Sequence, residues 1–196
     1  MEELLKLKRI LPFLIPIAVI MFIIMLVFII SGTSSNNPSI VAGSIFNKPF
    51  DADVEYTITS HFGYRDDPIN IGNIEYHTGV DLGAPMGTPV LAIGDGIVYD
   101  IKYSHTGYGN HVYIKHEVNG TTYYSLYAHM LDNSIMVMIN QPIKAGQRIG
   151  AVGSTGASTG YHLHLSLMTP LPYANEDNLI DPIFIIEGQN NGGNNE

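Results

Sequence analysis

No cysteine occurs among the 196 residues, so no disulfide framework braces this chain. Its stability has to come from an ordinary apolar core, with a bound metal as the other available staple. Cations are also scarce. Two of the 18 acidic and three of the 9 basic residues precede Ser31, so residues 31–196 hold 16 acidic and 6 basic residues, a charge of −10 against +1 for the first 30. That balance excludes nucleic acid as a partner and gives the domain no attraction to an anionic leaflet. No internal repeat of 20 to 50 residues is present, which excludes solenoids and propellers, and beyond the N-terminus no 3.6-residue apolar period is sustained.

What the N-terminus does have is one long apolar run. From Ile10 to Ile30 no residue is charged, and 21 residues at about 1.5 Å each reach about 31 Å, the thickness of a hydrocarbon core. The run reads as a transmembrane helix over 10–30. Pro12 and Pro16 fall in its first turns, where a missing N–H costs least. Lys6, Lys8 and Arg9 precede it and no basic residue follows until Lys48, so the positive-inside rule keeps residues 1–9 cytoplasmic and sends the remainder across the membrane. A cleaved signal peptide would have a shorter apolar region and a small-residue cleavage site, and no such site follows.

Residues 31–49 open with the polar Ser31–Ser39 segment and read as a linker; 188–196, rich in Gly and Asn, reads as a disordered tail. The folded unit is then 50–187. Within it, short β-rich runs alternate with Gly, Pro, Asn and Asp, and strands are expected at Tyr56–Phe62, Pro89–Ile93, Gly96–Tyr103, His111–His116, Thr121–His129, Ile135–Ile139, Arg148–Val152 and His162–Met168. Asn119-Gly120 between two of these is a hairpin signal. The expectation is an all-β, mainly antiparallel domain with its site on the loops at one end.

Eight histidines are present, and five residues group by spacing. His162 and His164 stand at i, i+2 after a glycine-rich approach, so in a strand both imidazoles face one way, with Cα atoms roughly 6.6 Å apart. His77 and Asp81 are separated by three residues, with Gly79, Gly83 and Pro85 arguing for a turn or short strand rather than a helix. His129 ends the aromatic run Tyr123–Ala128. A catalytic zinc takes three His, Asp or Glu ligands and leaves one position open. Five candidates therefore exceed the need by two, leaving a pair to act as proton acceptor or as donors to a developing oxyanion. The helix-borne H-E-x-x-H arrangement is absent.

The ordered set His77-x-x-x-Asp81, Tyr127-Ala-His129 and Gly153-x-Thr155…Ser158-Thr-Gly160-Tyr-His162-Leu-His164, with Ser60-His-Phe-Gly-Tyr-Arg65, Ala84-Pro-Met-Gly-Thr-Pro-Val90 and Ala145-Gly-Gln147 around it, resembles the lysostaphin-type, or LytM-like, zinc endopeptidases that cut peptidoglycan cross-links. The resemblance covers nearly the whole folded unit. It implies that His77, Asp81 and His164 hold one Zn2+ and that His129 and His162 are the catalytic pair beside it. Asn110 falls where some relatives carry an asparagine near the metal. The chain departs from the family at Tyr161, where proline is frequent, and at Leu165-Ser166, where the family commonly shows Phe followed by an acidic or amide residue. His61, His105, His111 and His116 receive no role and are expected at solvent-facing positions.

The resulting expectation is a membrane-anchored zinc endopeptidase acting on peptidoglycan, its domain extracellular or periplasmic. The alternative is a silent relative that serves as a wall-binding scaffold or activator; such members lack one or more of the five positions, all of which are present here.

Overall fold

A computed structural model describes residues 46–187. The expected transmembrane helix at 10–30, the segment before it, most of the linker and the tail at 188–196 lie outside the described residues. Among the described residues no helix is long and apolar enough to cross a membrane.

Twelve strands and one short helix make up the domain: β1 Thr57–Ser60, β2 Gly63–Asp66, β3 Ile74–His77, β4 Val80–Gly83, β5 Pro89–Leu91, β6 Gly96–Lys102, β7 Asn110–Val118, β8 Thr121–Met130, β9 Pro142–Ile143, β10 Arg148–Ala151, β11 His162–Met168, β12 Leu179–Ile180 and α1 Ile183–Glu187. The fold is thus the predominantly antiparallel β architecture expected. One sheet runs β1-β4-β11-β8-β7-β6-β9, with β12 added to β11, while β5 pairs β10 and β2 pairs β3 as two small separate sheets. Asn119 and Gly120 both have positive φ, 52° and 78°, and join β7 to β8 in the tight turn their sequence predicts.

Alternation along the central strand decides what faces what. Leu163, Leu165 and Leu167 enter the main core, with Val80 and Leu82 of β4, Val112 and Ile114 of β7, and Val90 and Ile149 from the β5–β10 pair. Their neighbours Ser166 and Met168 point the other way, toward a smaller cluster of Tyr113, Tyr124, Leu126 and Ala128. His162 and His164 share that second face. The main core also takes in Phe46 and Phe50, the former lying in the stretch read as linker. Asp181 caps α1 by accepting the Ile183 amide at 2.9 Å, and Pro182 fills the first helical position.

Two expectations about elements are corrected. Ile135–Ile139 is not a strand: only Val137 is buried, Met136, Met138 and Ile139 are exposed, and the segment makes isolated bonds such as Met136 N to Ile149 O. The edge of the sheet is completed instead by β9, opposite β6. Conversely β2 and β3, an antiparallel pair with Gly63 opposite His77, lie outside the strands that were expected.

Candidate metal centre

Three adjacent strands bring most of the site together. In the β4–β11 ladder Asp81 stands opposite His164, and in the β11–β8 ladder His164 stands opposite Ala128, the neighbour of His129. His77 closes β3 one turn before β4. The backbone register therefore does the assembly, and the side chains need only point up from it.

His77 Nε2, Asp81 Oδ1 and His164 Nδ1 converge. Asp81 Oδ1 is 3.0 Å from His77 Nε2 and 2.9 Å from His164 Nδ1, and the two nitrogens are 3.0 Å apart. All three residues are buried. Nitrogen and oxygen ligands about 2.0–2.1 Å from a tetrahedral zinc would stand about 3.3 Å apart, so this donor set fits the ion after a few tenths of an ångström of relaxation. Three acceptor atoms pressed together out of water otherwise repel one another, and a shared cation is what such an arrangement suits.

The tautomer that His77 needs for that role is enforced from outside. His77 Nδ1 donates to the His61 carbonyl at 2.7 Å, which leaves the Nε2 lone pair directed inward. Asp81 presents Oδ1 because Oδ2 accepts from Arg65 Nη1 at 3.0 Å. Arg65 is itself held by Glu75, 2.7 Å from both Nε and Nη2, and by Ser60. Burial alone would raise the Asp81 carboxyl, but the adjoining imidazoles of His164 and His77 hold it far below the usual carboxylate range.

His129 and His162 stand beside these three, with ring centroids 4.7 Å apart. His129 Nδ1 donates to the Thr155 carbonyl at 2.8 Å and His162 Nδ1 to the Gly160 carbonyl at 2.9 Å, so both keep Nε2 free. His162 Nε2 is 3.6 Å from Asp81 Oδ1. His129 has a left-handed backbone, φ 59°, a conformation that is costly outside glycine and asparagine and is held here by the bond from its amide to the Tyr108 carbonyl. Its imidazole pKa is pushed down to about 4, chiefly by burial and then by repulsion from His164 and His162. At neutral pH it is an acceptor.

The glycine-rich approach has a specific task. Gly156, at φ 77°, lies backbone to backbone against Gly109, and a Cβ on either would strike the other loop; this contact sets Thr155 under His129. A cleft of about 330 Å³ opens over the five residues, lined also by Arg65, Glu75, Tyr76, Tyr108, Ser158 and Thr159.

All five residues singled out by spacing therefore meet in one place. Asn110 does not join them: its buried side chain donates to Asp132 at 2.7 Å and accepts the Ser104 amide at 3.1 Å, tying loops behind His129. His61 and His105 are exposed as expected. His111 and His116 are not; they are 7% and 0% exposed, because β7 is a central strand covered on both faces. Arg65, Ser60, Thr155 and Ser166 belong to the site and had been given no role from the sequence. Arg65 and Ser60 carried a signal as the ends of the Ser60–Arg65 motif, Thr155 as part of the glycine-rich approach, and Ser166 as a departure from the family pattern.

Comparison with known proteins agrees with this geometry. The family described as Peptidase family M23 matches residues 75–182. DD-carboxypeptidase/endopeptidase Mpg of Neisseria meningitidis serogroup B is 47% identical over 107 residues, 55% of this chain and 23% of that protein. Peptidoglycan DD-endopeptidase ShyA of Vibrio cholerae is 38% identical over 119 residues, 61% of this chain and 26% of that protein. The chain thus spans about a quarter of the length of these curated relatives. Among solved structures, the catalytic domain of the prophage-encoded M23 protein EnpA from Enterococcus faecalis superposes with a TM-score of 0.56 at 35% identity, over 70% of this chain and 95% of that one. The lysostaphin catalytic domain from Staphylococcus simulans gives 0.55 at 31%, over 68% and 92%.

Proposed function

The chain belongs to peptidase family M23, and from that premise we propose that it is a membrane-anchored zinc endopeptidase that hydrolyses peptide bonds in the stem peptides or cross-bridges of peptidoglycan. The single observation that carries this reading is the convergence of His77 Nε2, Asp81 Oδ1 and His164 Nδ1 within one buried site, at the floor of an open cleft. In this reading these three atoms hold the ion.

Zinc, when bound, supplies a Lewis acid and a means of making water nucleophilic near neutral pH. The protein supplies the rest. Arg65 holds Asp81 to one oxygen, so the ligand set stays at three. His129, kept neutral by burial, has its Nδ1 proton committed to Thr155 and offers Nε2 to take a proton from an attacking water. His162, with Nδ1 committed to Gly160, occupies the other flank and completes the catalytic pair.

Membrane attachment, with the peptidase domain outside the cytoplasm, is supported by the uncharged run Ile10–Ile30 and the cluster Lys6, Lys8 and Arg9 before it. The Neisseria relative is named a DD-carboxypeptidase/endopeptidase and the Vibrio relative a peptidoglycan DD-endopeptidase, and these names support peptidoglycan as substrate. The test is digestion of purified peptidoglycans of differing bridge chemistry by the full-length chain, with fragments identified by mass. New peptide amino termini are expected. Fragments arising only from cleaved glycan, or none at all with zinc present, would overturn the proposal.

A further inference from the structure

The four histidines at the site each turn one nitrogen inward and give the other to a protein partner. For His77, His129 and His162 the nearest partner is a backbone carbonyl, of His61, Thr155 and Gly160 respectively, with the Ser60 and Ser158 hydroxyls farther off, at 3.4 Å from His77 Nδ1 and His162 Nδ1. A carbonyl only accepts, so those rings have one tautomer available while neutral. His164 differs. Its Nε2 meets the Ser166 hydroxyl at 2.9 Å and that of Thr78 at 3.4 Å, and a hydroxyl either accepts or donates.

We propose that Ser166 is a positioning residue that lets His164 exchange tautomers as the ion enters and leaves. This rests on the zinc reading above. In the chelator-stripped chain the Ser166 hydroxyl donates to Nε2, and the His164 proton sits on Nδ1. There it lies within hydrogen-bonding distance of both Asp81 Oδ1, at 2.9 Å, and His77 Nε2, at 3.0 Å, so one proton holds together three atoms that would otherwise repel. His77 does not supply that proton while neutral, because its own is committed to His61. If zinc took Nδ1, that proton would go to solvent, Nε2 would take up one proton from solvent in exchange, and the Ser166 hydroxyl would rotate to accept it, with no net change in bound protons on the ring. His164 is neutral before and after.

The surroundings leave this task to Ser166. It is fully buried, so water does not stand in for it. Thr78 is farther away, and its hydroxyl is already bonded to the Tyr108 hydroxyl at 2.8 Å. Gly79 closes the remaining side: a Cβ there would lie 2.9 Å from His164 Nε2. The ring therefore stays in place, and only protons move.

Long-range ¹H–¹⁵N spectra of the histidine side chains of the full-length chain in micelles test this directly. Nδ1–H is expected for His164 after stripping and Nε2–H after zinc is added; Nε2–H in both states would overturn the proposal. A chain that takes up no zinc would sink the metal reading beneath it as well, which separates the two failures. Ser166→Ala is expected to weaken zinc binding about 10- to 100-fold, the usual worth of a residue bonded to a metal-ligating histidine. Ser166→Thr, which keeps the hydroxyl, should recover most of that affinity. An alanine variant with wild-type zinc affinity would contradict the proposal, and the spectra of the unaltered chain decide the matter if the variants fail to fold.

Discussion

His164 and His116 are both buried histidines on inner strands of the same sheet, on opposite faces, and they are used in opposite ways. His116 points into the main core, and both its nitrogens are satisfied: Nδ1 donates to the Asp95 carbonyl and Nε2 meets Ser125 Oγ, each at 2.8 Å. Ser125 then bonds Tyr127, which accepts the Ile93 amide. That chain ends within the protein. The inner nitrogen of His164 faces another histidine and a carboxylate. Burial does not distinguish a structural histidine from a functional one; the destination of its second nitrogen does.

Substitution at the convergent end gives the largest contrast. His164→Ala or Asp81→Ala should abolish zinc binding and hydrolysis together, measured by metal content and by clearing of a peptidoglycan suspension. Next come the flanking pair: His129→Ala and His162→Ala should retain one zinc per chain and slow hydrolysis about 10²- to 10⁴-fold. Full activity in His129→Ala would remove it from the mechanism. Arg65→Gln tests whether Asp81 needs its oxygen held, and a zinc affinity about 10-fold weaker, read by chelator competition, is the expected result.

At the satisfied end the effect should fall on stability alone. His116→Ala removes one of the two hydrogen bonds of the buried Ser125 hydroxyl and leaves a cavity, a cost of about 2–3 kcal/mol by denaturant titration, with zinc binding and turnover unchanged. Acid gives the smallest signal. Burial lowers the pKa of His116 from its ordinary value, so the unfolded chain binds the proton more readily than the folded one. The associated stability is fully present above about pH 6.5 and is lost as pH falls below it. His111 shifts the same way for the same cause, so His116→Gln should reduce the pH slope without removing it.

The same contrast explains what could be read from the amino-acid sequence. His77, Asp81, His129, His162 and His164 were legible because spacing along short strands, together with an ordered set of motifs, carries over into register. The partners that set their tautomers were not, since His61, Thr155 and Gly160 contribute carbonyls, which any residue possesses. Ser166 was visible only as a departure, without its purpose. His116 was expected at the surface because a polar residue on a strand usually is; its partners Asp95 and Ser125 come from other strands and loops, and only tertiary packing brings them to it. Ile135–Ile139 had the composition of a strand, but no neighbour is available to pair along its length.

The central claim is that hydrolysis depends on one ion held by His77, Asp81 and His164. The most direct test strips the full-length chain with a chelator and returns zinc in measured increments while following release of peptide fragments from purified peptidoglycan. Activity should be absent after stripping and should rise linearly to a plateau at one zinc per chain. Undiminished cleavage by the stripped chain, or a plateau at any other stoichiometry, would contradict it.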